Sequence, residues 1–160
     1  MKKALLVILS ILIVCSTQAK HRKHKKTVKQ VNKIEAIKMQ RTACYGRCPA
    51  YKIELNKNGN VIYTAIRFTE DSGVFEKNIG KKGATDIFDQ ALTTKVDTCK
   101  NEYMIRPVDL PGLIFTITYA DSTKIINNAN FGPEVLKKLA DKMDEITGKK
   151  VDETWHRKIK

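Results

Sequence analysis

Cys44-Tyr45-Gly46-Arg47-Cys48-Pro49-Ala50-Tyr51 is the stretch whose residue types and spacing could do chemistry. Two thiols separated by three residues can close a small ring, exchange disulfides or hold a soft metal such as copper(I). Gly46 lets so short a ring turn through positive φ. A thiol-exchange site ordinarily has two residues between its cysteines and a helix N-terminus that lowers the thiol pKa. Here three residues intervene, and after Pro49 the pattern alternates as a strand. The histidines are His21, His24 and His156, all in basic segments away from the thiols. A structural staple is therefore expected. A thiol redox or copper-handling role for Cys44 and Cys48 is the alternative.

Cys15 is removed or lipidated if the N-terminus is a leader, which leaves Cys44, Cys48 and Cys99. An odd count leaves one thiol free or joined to another chain. Ring closure over about 5 residues for Cys44–Cys48 contributes roughly 2 kcal/mol, and over about 56 for Cys44–Cys99 roughly 4. Stability favours the long bridge and local encounter the short one. The expectation leans to Cys44–Cys48.

No other constellation suggests catalysis. There is no Ser/His/Asp set near the core, no HExxH and no glycine-rich phosphate loop. Glu54, Asp71, Asp86 and Asp109 have no spacing that pairs carboxylates for acid–base work. Asp109-Leu110-Pro111-Gly112 reads as a turn. A non-enzymatic module without cofactor or bound metal is expected.

The elements that must position the cysteine stretch follow from periodicity. Residues 34–41 alternate imperfectly, and Tyr51 to Leu55 alternates cleanly. Asn58-Gly59 is a strong hairpin signal, because a tight turn needs positive φ. The return strand is Val61 to Phe68, and Val74 to Ile79 reads as a fourth strand. Gly80 and Gly83 break the pattern. Thr85 is the expected N-cap of a helix carrying Ile87, Phe88, Ala91 and Leu92 on one face. Val96 to Arg106 reads as irregular. Leu113 to Tyr119 is the strongest strand, and Lys124 to Ile126 returns from it. Pro133 opens a second helix, Val135, Leu136, Leu139, Met143 and Ile146 form its stripe, and Gly148 ends it. Trp155 is expected to pack back on the body. The order β-β-β-β-α-β-β-α predicts an α+β domain: an antiparallel sheet of about six strands with two helices on one face.

The formal charge of +13 resembles a nucleic-acid signal until it is located. Residues 20–33 hold seven basic side chains and no acid, whereas residues 34–147 hold 16 basic and 15 acidic. The positive charge thus lies in the tails, and a near-neutral domain is not a specific nucleic-acid binder. Met1-Lys2-Lys3, the apolar run Ala4 to Val14 and the small residues before Lys20 read as a signal peptide of residues 1–19. The run falls short of the roughly 20 residues a bilayer span needs, so no transmembrane span is expected in the mature chain. Lipidation at Cys15 is the alternative, with a membrane-anchored product. The expected layout is a leader (1–19), a basic linker (20–33), one domain (34–148) and a basic C-terminal segment (149–160). Such a product is periplasmic or secreted. Its expected partners are an envelope protein or an anionic envelope surface met by the basic segment.

The body resembles an uncharacterised family of exported bacterial proteins, a domain of unknown function. The resemblance rests on Cys44, the aromatic Tyr45, Gly46, Cys48, Pro49 and Tyr51, then Ile53, Leu55 and the turn at Gly59, with Tyr103 and Asp109-Leu110-Pro111 further on. It implies an envelope location and a small α+β fold over residues 34–147. It also implies that Cys99 stands outside the motif, which supports the Cys44–Cys48 pair. It supplies no activity. Cys44-x-x-x-Cys48-Pro49 is also similar to the motif of thioredoxin-fold copper-delivery proteins, but here a strand pattern and not a helix comes directly after it, and the histidines lie in the basic tails.

Overall fold

Every second residue of the central strands is apolar, so any sheet they form has one face that must be covered. The computed structural model describes residues 33–104, 109–148 and 151–158. The expected leader, Cys15 and the basic linker up to residue 32 lie outside the described residues. The strands are β1 (Ile34–Arg41), β2 (Ala50–Asn56), β3 (Asn60–Arg67), β4 (Val74–Asn78), β5 (Glu102–Tyr103), β6 (Leu113–Tyr119), β7 (Thr123–Asn128) and β8 (His156–Arg157). Helix α1 (Gly80–Thr93) follows β4, and α2 (Glu134–Thr147) follows β7. Among the described residues no helix is long and apolar enough to cross a membrane.

The fold is α+β, with one eight-stranded sheet in the order β5-β7-β6-β1-β2-β3-β4-β8. The expectation of about six strands is corrected by two edge strands of two residues each. β5 pairs in parallel with β7, and β8 pairs antiparallel with β4. Neither is long enough to show a period, so only tertiary pairing creates them. The central strands are antiparallel, with Ile37 facing Leu55 on one side and Ile117 on the other. Register places Ile37, Met39, Ile53, Leu55, Val61, Phe115 and Ile117 on one face, where they join Ile87, Phe88, Leu136, Leu139 and Met143 from both helices in a single core. Trp155 completes that core, at 6.1 Å from Tyr63 edge to face.

Both helix starts differ from the sequence expectation. α1 begins at Gly80, because the Asn78 side chain accepts the Gly80 N–H at 2.7 Å and turns the chain into the helix. Thr85 is consequently an exposed mid-helix residue and not the cap. Pro133 sits just before α2 with extended ψ, and Glu134 is the first helical residue. At the β2–β3 turn Gly59 has φ +86, and a Cβ there would lie 2.4 Å from the Gly80 carbonyl carbon, so glycine is required twice over.

Candidate functional site

Arg41 keeps the inward phase of Ile37 and Met39, and register sets it directly opposite Tyr51. A guanidinium on the core face of a strand needs a partner. Helix α2 supplies it: Asp144 lies one turn after the buried Ala140 and reaches the sheet. Tyr51 Oη donates to Asp144 Oδ1 at 2.6 Å, and Arg41 Nε donates to Asp144 Oδ2 at 3.0 Å, with Nη2 directed at the same oxygen. Burial pushes the Tyr51 phenol well above its ordinary range, and the carboxylate of Asp144 adds to it. Burial works against the charge on Arg41, but the Asp144 contact outweighs it and holds the guanidinium above its usual value.

A cleft of about 460 Å³ opens beside this network, lined by Pro49, Tyr51, Tyr63, Phe68, Thr69, Glu70, Asp71, Thr147, Gly148 and Val151. Its volume falls within the roughly 300–1,000 Å³ of small-ligand sites. Tyr51 and Tyr63 form an aromatic wall with ring centroids 5.6 Å apart. Burial also pushes the Tyr63 phenol up. Asp71 Oδ2 accepts the Val151 N–H at 2.8 Å, which pins the segment after α2 to the β3–β4 turn.

The rim departs from ideal geometry at adjacent places. The β2–β3 register shifts so that Ala50 faces Arg67 while Tyr51 faces Ala65, leaving Ile66 as an extra residue. Bulges of this kind re-aim side chains beside functional sites. Two residues on, Phe68 has φ +55. A bulky side chain in that region is a genuine outlier. Phe68 is nonetheless 43 % exposed, with the Arg67 guanidinium 4.4 Å from its ring centroid.

The residues singled out by sequence are scattered differently. Cys44 and Cys48 are joined by a disulfide, and the Gly46 N–H lies 3.3 Å from Cys44 Sγ. The loop leads into β2 and not a helix. Tyr45 at its tip is 93 % exposed. Pro49 and Tyr51 enter the cleft. Gly59 lies at the opposite end of β2, against Gly80. Tyr103 belongs to edge strand β5, and its hydroxyl accepts the Lys100 N–H at 2.8 Å. Asp109 and Pro111 lie in the loop before β6, where the Asn130 side chain donates to the Pro111 carbonyl. Cys99 is a free thiol, 8 % exposed, and burial pushes its pKa up while a hydrogen bond from Tyr103 opposes the shift. Among the described residues no group of three or more His, Cys, Asp or Glu side chains could hold a metal.

Sequence reasoning missed Arg41, Tyr63, Phe68, Thr69 and Asp144 as site residues and treated Asp71 as scattered. Two signals were available: Arg41 carries the phase of Ile37 and Met39, and Asp144 follows the α2 stripe by one turn. A charge on each apolar face calls for a counter-charge. The family model for a domain of unknown function (DUF6438) matches residues 35–147, and the chain belongs to that family. No curated protein matches the chain.

Proposed function

We propose that this DUF6438 chain is an exported, non-catalytic binding module that takes its ligand in the Tyr51–Tyr63–Phe68 cleft. The observation that carries the reading is the rim: a bulge and a left-handed Phe68 hold an aromatic ring half in solvent beside a cleft of about 460 Å³. Strain of this sort costs about 1–3 kcal/mol and persists where the surroundings over-determine it, which favours functional sites. The Cys44–Cys48 ring fixes the loop leading to Pro49, so that wall is pre-organised before a ligand arrives. The leader-like start and a disulfide both suit an oxidising compartment outside the cytosol. Among the described residues that line the cleft there is no histidine, cysteine or lysine, and Asp144 beside it is already engaged by Tyr51 and Arg41.

An NMR titration of the mature chain with size-fractionated cell-envelope extracts tests the site. Shifts concentrated on the Thr69, Asp71, Gly148 and Val151 amides are expected. Shifts confined to the uncovered sheet face, or none with any fraction, would overturn the reading. Mass spectrometry of the mature chain checks export, with Lys20 as the expected first residue and a lipidated Cys15 as the alternative product. Ready reduction of Cys44–Cys48 by glutathione, or stoichiometric copper uptake lost in Cys48→Ser, would transfer the function to the thiols.

A further inference from the structure

We propose that the cleft selects an organic ammonium cation, a proposal that rests on the cleft being the binding site. Three aromatic side chains, Tyr51, Tyr63 and Phe68, line it together with two carboxylates, Glu70 and Asp71. Among the described residues neither carboxylate forms an ion pair. The third acid nearby, Asp144, is neutralised by Arg41. Asp71 uses Oδ2 for the Val151 N–H, which leaves Oδ1 for a ligand. Glu70 is exposed on the rim.

Aromatic faces attract cations through the ring quadrupole, and cages of rings with a carboxylate recognise alkylammonium groups. The Phe68 ring already carries the Arg67 guanidinium at 4.4 Å, so its π-face attracts positive charge in this setting. An anionic ligand would meet two carboxylates that lack an ion-pair partner among the described residues, and a neutral apolar one would desolvate Oδ1 of Asp71 without giving it a donor. An ammonium offers N–H donors or polarised methyl groups to the carboxylates and its apolar stem to the tyrosine wall. Both a lysine side chain and a free trimethylammonium compound present that chemistry.

The test titrates the full chain with three probes: choline, a blocked tripeptide carrying one lysine, and the same tripeptide with that lysine acetylated. Shifts of the Thr69, Asp71 and Val151 amides are read by NMR. Saturable binding of choline or the lysine peptide is expected, with a dissociation constant of about a millimolar, and the relative strength of the two identifies the source. The acetylated peptide should bind at least about tenfold more weakly, and added salt should weaken the cation further. Glu70→Gln with Asp71→Asn should lower affinity about tenfold or more. The second substitution keeps an amide oxygen for the Val151 N–H, so folding is retained, and the dispersion of the spectrum checks it. Equal binding of the acetylated peptide, or unchanged affinity in the double variant, overturns the proposal. If the ammonium probes fail while envelope extract still shifts the cleft amides, the ligand class is wrong and the cleft reading stands. If both leave the cleft amides unmoved, both fall.

Discussion

Asp144→Ala should be among the most damaging single changes on the surface of this domain. The carboxylate accepts a hydrogen bond from the Tyr51 hydroxyl on one oxygen and from the Arg41 guanidinium on the other. The Arg41 and Asp144 side chains are 30 % and 26 % exposed, so the pair is neither fully solvated nor deeply buried. Exposed ion pairs contribute up to about 1 kcal/mol, and breaking a buried one costs about 3–5. A hydrogen bond to a charged group contributes about 1.5–3 kcal/mol. An intermediate site losing both contacts should lose about 2–3 kcal/mol, a fall of about 1–2 M in the urea midpoint. The assay is urea unfolding followed by the fluorescence of Trp155, the single tryptophan, which packs against Tyr63 beneath the cleft. Replacing both charged partners, Arg41→Met with Asp144→Leu, should cost less than the sum of those two singles, because no unpaired charge is then left, only the Tyr51 hydroxyl. A loss below about 0.5 kcal/mol for Asp144→Ala, or strict additivity in the double variant, would refute the reasoning.

Tyr51→Phe removes one charge-assisted bond and should cost about 1–2 kcal/mol at neutral pH. Because the folded-state pKa of Tyr51 is raised above its unfolded value near 10, its contribution is complete below that pH and is lost as pH rises through the folded value. Tyr63 and Tyr119 are raised too, so above about pH 10 the variant's urea midpoint should fall less steeply than the wild type's without becoming flat. Reduction of Cys44–Cys48, or Cys44→Ser, should remove about 2 kcal/mol from the same curve, the loop-closure value for so short a ring. Gly59→Ala should cost about 2 kcal/mol or more, since a Cβ there meets backbone at 2.4 Å in a left-handed conformation; an unchanged melting curve would contradict that geometry. Cys99 should resist an aromatic disulfide reagent in the native state and react at the rate of unfolding, while immediate labelling would show that the core around it is open.

The hairpin at Asn58-Gly59, the α2 stripe and the strong strand Leu113–Tyr119 were legible because each is a local matter: turn chemistry or a period of two or 3.6 that a few residues declare. The α+β class followed from their order. The two-residue strands β5 and β8 were not legible, since their only identity is the neighbour each pairs with. The start of α1 was misread for a related reason. Two glycines resemble a break until the Asn78 side chain is seen to accept the Gly80 amide.

The cysteine stretch by itself favoured a short covalent ring, because four residues of separation keep two thiols within reach in any compact state, and the structure closed it between Cys44 and Cys48. It drew attention to the right end of the molecule, and through Pro49 and Tyr51 it touches the cleft. What only the tertiary structure decided is the cleft. Arg41 and Asp144 are 103 residues apart, and Tyr51 and Asp144 are 93 apart. Asp71 and Val151 are 80 apart. No spacing rule connects such positions. They meet because sheet register sets Arg41 beside Tyr51, because burial of the α2 stripe turns Asp144 toward both, and because the bulge at Ile66 swings Phe68 onto the rim. Local patterns encode the elements, and the packing of their apolar faces selects which polar side chains are left facing one another.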